Sequence, residues 1–157
     1  MNTALKIRLW LIVFIVGLFL SGITVFPIIT EVNLLNTWFG TDSFLQDHLP
    51  AASEWIVRIH QGVHETNAKY PFLFYGTDWL GFAHIMLAIL FIGPLRDPVK
   101  NIWIIEFGMI ACVLVIPFAF ICGPLRGIPL YWTLIDCSFG VVGIVPLLIV
   151  RNAIKSL

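Results

Sequence analysis

Charge is the scarce ingredient of this chain: 11% of its residues are Asp, Glu, Lys or Arg, against 59% hydrophobic. An average soluble domain carries about 25% charged residues, so an ordinary water-soluble globule is excluded. The nine basic and nine acidic side chains cancel, and no basic stripe develops, which removes nucleic acid as a partner. Cysteine is equally sparse. Cys112, Cys122 and Cys137 lie in or beside apolar runs, without metal-ligand spacing and without a counterpart in the long polar segment. They read as small apolar fillers rather than a disulfide framework. The phosphate loop GxxxxGK[ST], the dinucleotide signature GxGxxG, the zinc-protease motif HExxH and the nucleophile elbow GxSxG are all missing.

What the chain has instead is four long apolar stretches, at about 7–30, 79–95, 102–121 and 130–150. A hydrocarbon core of about 30 Å takes roughly 20 such residues as a helix. The expected fold is therefore all-α, one integral membrane domain over 1–157 built as a four-transmembrane-helix bundle. Lys6, Arg8, Arg96, Lys100, Arg151 and Lys155 lie on the side of the termini, and Arg58, Lys69 and Arg126 opposite. That asymmetry places both termini in the cytoplasm of an inner membrane, with the 31–78 segment outside. The first apolar run is too long for the h-region of a signal peptide and reads as a retained helix.

The outer segment carries a helical pattern of its own. From about 50 to 66, Ala52, Ile56, Ile59 and Val63 share one face, and Glu54, Arg58 and Glu65 the other. Pro50 suits the first position of a helix. This predicts an amphipathic helix at the membrane interface. Aromatic residues at Tyr70, Phe72, Phe74, Tyr75 and Trp79 read as an interfacial belt, with Tyr131, Trp132, Trp10 and Trp103 as further anchors. Gly17, Ser21 and Thr24 form a small-residue face on the first span, and Pro27 bends or ends it. Two matching runs, Gly93-Pro94-Leu95-Arg96 and Gly123-Pro124-Leu125-Arg126, read as helix stops in which glycine turns left-handed.

Ionisable groups within a span are costly and need a reason. There are three: His84, Glu106 and Asp136. His84 lies six residues past Asp78, roughly 9 Å deep, and Asp136 five past Tyr131, roughly 7–8 Å deep on the same side. A shared depth predicts that both point inward and meet. On the outer helix, His60 and His64 stand one turn apart, the spacing of helical metal sites. Together these give a candidate outer-leaflet site of His60, His64, His84 and Asp136. It would bind a transition metal (zinc, copper or iron) or a haem b held by His84 with His60 or His64; if redox-active, it would exchange electrons with a lipid-soluble or periplasmic partner. Glu106 reads either as half of an ion pair with Arg96, Lys100 or Lys6, or as one end of an ion path. No catalytic residue can be assigned. Two other readings stand beside the metal site. One is a non-catalytic accessory or assembly subunit whose outer helix docks a membrane or periplasmic protein. The other is a lipid or small-molecule binder with that helix as a lid over Phe72, Phe74, Tyr75 and Trp79.

Overall fold

The structure, a computed structural model, describes residues 2–155. Among them are eight α-helices and no strand: α1 (Thr3–Ile23), α2 (Ile28–Phe39), α3 (Phe44–His48), α4 (Pro50–Lys69), α5 (Tyr75–Leu90), α6 (Ile92–Arg96), α7 (Ile102–Leu125) and α8 (Leu130–Ile154). A 3-10 turn, Pro71–Phe74, leads into α5. Thr3–Ile23, Pro71–Arg96, Ile102–Leu125 and Leu130–Ile154 are long and apolar enough to cross a membrane. The all-α, four-span expectation is met at this level. Only 11% of the most apolar stretch of α1 and of α7 is buried within the protein. In water that exposed apolar area would cost about 25 cal/mol per Å², so hydrocarbon is the solvent these helices suit.

The chain forms two compact units, Met1–Leu18 with Met86–Leu157, and Phe19–Ile85. In the first, α7 and α8 form an antiparallel hairpin. Its four-residue connection is closed by Ile128 N–H donating to Gly123 C=O at 2.9 Å, and Gly127 takes φ 67° to allow it. Gly123 and Pro124 therefore stay inside α7, and Gly93 and Pro94 lie inside α6. The predicted left-handed turns at Gly93 and Gly123 do not form. The physical reason at Gly123 is packing: a Cβ there would stand 2.8 Å from Thr133 Oγ1. The helix keeps its path so that the glycine can face α8.

The same device recurs down the hairpin. A Cβ on Gly140 would collide with the Cys112 carbonyl of α7, and one on Gly108 would stand 2.7 Å from Phe91 and 2.8 Å from Leu147. Small residues let membrane helices approach until backbones touch. Below this seam lies a core of Ile7, Leu11, Phe91, Ile105, Leu147, Val150, Ala153 and Ile154, with the Phe14 ring 4.7 Å from that of Phe91.

The second unit contains structure that the sequence pattern hides. The first span ends at Ile23 rather than near residue 30. After a turn through Pro27, α2 begins at Ile28, so 28–39 is a separate helix. Ser43 caps α3, its side chain accepting the Gln46 N–H, and Asp42 takes φ 61° before it. The helix predicted over 50–66 is present as α4, slightly longer than expected, with Pro50 at its first position. It packs against α2 in antiparallel fashion, with the buried Ser53 hydroxyl donating to Gly40 C=O at 2.8 Å. Gly22 of α1 crosses Gly81 of α5 closely: a Cβ on either would stand 2.7–2.8 Å from the other's carbonyl oxygen. Gly17, expected to carry the small-residue contact, has nothing within 4 Å of a Cβ.

These contacts make a paired prediction. Gly140→Val should lower the thermal unfolding midpoint in detergent, by the equivalent of about 1–3 kcal/mol from overpacking, whereas Gly17→Val should leave it within experimental error. Equal sensitivity at the two positions would contradict the seam.

Candidate functional site

α2 and α4 hold the most concentrated polar arrangement in the chain. His60 and His64 are one turn apart on α4, so their rings lie side by side, centroids 4.5 Å apart. Both aim Nε2 across to α2, where Asn33 Oδ1 accepts from each, at 2.9 Å from His60 and 2.8 Å from His64. An amide oxygen only accepts, so each imidazole presents a hydrogen on Nε2 to it. Asn33 is held in turn, since its backbone carbonyl accepts from the Thr37 hydroxyl at 2.8 Å. Both histidines are half-buried and Asn33 is exposed, so the meeting point is open to solvent. Sequence reasoning identified the two histidines by their spacing and missed Asn33. A signal was there: Val32, Asn33, Asn36 and Gly40 recur at helical intervals on a stretch read as loop.

His84 satisfies itself. Its Nδ1 donates to Leu80 C=O, one turn back on α5, at 2.9 Å, and its Cβ packs near Gly22. A backbone partner within its own helix accounts for an imidazole in a spanning segment without a carboxylate. Asp136 lies in the other compact unit. It is half-buried on the same face of α8 as Thr133 and Gly140, both of which meet α7. Among the described residues, no three His, Cys, Asp or Glu side chains gather in a way that would hold a metal ion. Of the predicted set, His60 and His64 stand together on α4.

Glu106 has a partner, but not one of those expected. Arg151 on the last turn of α8 donates from Nε at 3.0 Å and places Nη2 at 3.0 Å from the same oxygen, Oε1. Two contacts from one guanidinium fix the geometry as well as the charge. The pair ties the open ends of the α7–α8 hairpin and accounts for Glu106 as a structural residue. Lys100 is taken up by Asp97, 3.5 Å away on the exposed loop between α6 and α7.

The aromatic residues read as an interfacial belt are mostly exposed, with Phe74 half-buried. Phe72, Tyr75 and Trp79 are among the exposed large side chains, and Trp79 stacks edge-to-face with Tyr75 and Phe82. That suits membrane-interface anchoring better than the walls of a pocket.

Burial pushes the Glu31 carboxyl, in the first turn of α2, above its ordinary range. A raised carboxylate favours the folded state while protonated, so its cost appears as pH rises through the folded-state value. Glu31→Gln should therefore stabilise the protein at pH 7 and have little effect below pH 4, read from unfolding midpoints at both. Glu106→Gln and Arg151→Gln should each destabilise. The double variant should lose less than the two losses added, with a coupling of about 1 kcal/mol for a pair roughly one-third exposed; strict additivity would show that the contact is idle.

No protein-family model matches this sequence, and neither a curated protein nor a solved structure does.

Proposed function

We propose that this is a small polytopic membrane protein whose α2–α4 pair binds one divalent transition metal ion between His60 and His64, with Asn33 as an oxygen ligand. The observation that carries the reading is the convergence of two Nε2 atoms on one point already occupied by a Lewis-basic oxygen. Imidazole suits zinc, copper and iron. Binding would displace the hydrogen from each Nε2 and leave that nitrogen to coordinate. A structural zinc site closes its shell with four protein ligands. Two nitrogens and an amide oxygen leave positions open, so the ion would exchange readily and remain available to a further ligand. His84 and Asp136 are not required. Two imidazole nitrogens that converge on one point suit a lone ion better than haem, whose axial ligands approach the iron from opposite faces.

Titrating the detergent-purified full chain with Zn(II) and Cu(II) by calorimetry should give one equivalent bound. His60→Ala and His64→Ala should each weaken binding at least tenfold, Asn33→Ala less, and His84→Ala not at all. Affinity should also fall as pH drops from about 7.5 to about 5.5, because protons compete for the ligand nitrogens. Undiminished binding in the His60→Ala/His64→Ala double variant would overturn the site.

A further inference from the structure

The end of α1 that begins at Thr3 and the end of α8 that finishes at Ile154 frame a notch of about 280 Å³, lined by Thr3, Lys6, Ile149, Asn152 and Ala153. We propose that this notch binds the phosphate of an anionic phospholipid. Its walls divide by chemistry. Thr3 and Lys6 are three residues apart on one face of α1 and supply a hydroxyl and an ammonium. Asn152 supplies an amide from α8, while Ile149 and Ala153, on the same α8 face, supply the apolar side. Behind it, Ile7, Leu11, Ala153 and Ile154 are buried in the core, so the floor is fixed.

Arg151 is committed to Glu106 and Lys100 to Asp97. Of the basic residues on this side, Lys6, Arg8, Arg96 and Lys155 have no ion pair among the described residues, and of these four Lys6 lines the notch. Its charge is free for an outside anion. The notch sits at the outermost turns of two candidate spans, where headgroups lie. From it, exposed Leu9 and Val13 on α1 and Val145 and Leu148 on α8 continue as apolar surface toward the bilayer centre. A headgroup held in the notch would lay its acyl chains along that surface. Basic pockets between spanning helices bind anionic headgroups by this combination of charge and apolar track.

Native mass spectrometry of the full chain, extracted from vesicles of equal phosphatidylglycerol and phosphatidylcholine, should show one retained phosphatidylglycerol and little phosphatidylcholine. Lys6→Gln should cut that retention about fivefold, the equivalent of roughly 1 kcal/mol for one lysine at a headgroup. Lys6→Arg should keep it, and Arg8→Gln, outside the notch, should not change it. Circular dichroism of each variant separates lost binding from lost folding, and a misfolded Lys6→Gln is replaced by Asn152→Leu, for which the same loss is expected. Equal retention of both lipids, or retention unchanged in a folded Lys6→Gln, would overturn the proposal. So would a Lys6-dependent rise in unfolding midpoint produced by millimolar inorganic phosphate in zwitterionic detergent, which would make free phosphate the ligand.

Discussion

Close approach at glycine, to a neighbour's backbone at Gly140, Gly22 and Gly81 and to its side chains at Gly108 and Gly123, is the contact on which this molecule rests. In hydrocarbon, lipid tails solvate leucine as well as another helix does, so apolar burial gives spanning helices little reason to associate. What remains is dispersion at short range, and that requires surfaces without side chains. Gly108, Gly123 and Gly140 supply such surfaces along α7 and α8, and Gly22 and Gly81 where α1 crosses α5. Large residues are freed to face lipid: Phe118, Phe139 and Val142 are each about two-thirds exposed. The placement of small residues, not of large ones, sets which faces meet.

That constraint also decides where polar groups are tolerated. Inside the spans several are settled locally. His84 uses a carbonyl of its own helix, Ser138 donates to Ile135 C=O, and Glu106 takes the arginine brought level with it by the hairpin. Such arrangements give the group a partner within the fold. The α2–α4 pair differs because its polar side chains meet across two helices and stay reachable from water. A ligand arriving there would exchange one hydrogen bond for another, which is the premise of the proposed metal site.

The helices were legible in the sequence wherever a long apolar run stood alone, as for α7 and α8. They were obscured where two helices shared one apolar run. Residues 7–30 are continuous in hydropathy, yet Pro27 lacks the N–H that would extend α1, and α2 starts beyond it. Because α2 was hidden, Asn33 was hidden with it, and His60 and His64 had no visible partner. The glycine stops failed for a related reason. Gly-Pro at 123–124 resembles a terminator when read alone, but Gly123 is held helical by Thr133 on a helix ten residues away, a contact that no local pattern encodes.

Glu106 shows how the gap could have been narrowed. A four-residue connection forces antiparallel neighbours, and counting back from the turn at 126–129 brings the first turns of α7 level with the last turn of α8. The nearest cation at that level is Arg151, which the structure pairs with it. Topology plus arithmetic along the helix rise thus predicts the partner, where sequence proximity pointed to Arg96 and Lys100. The same counting separates the two classes of basic residue at this end. Arg151 lies on the seam and is consumed by the fold, while Lys6 lies on α1 beside a polar notch with its charge uncompensated among the described residues. A positive group left unpaired at headgroup depth is satisfied most cheaply by what the membrane itself provides.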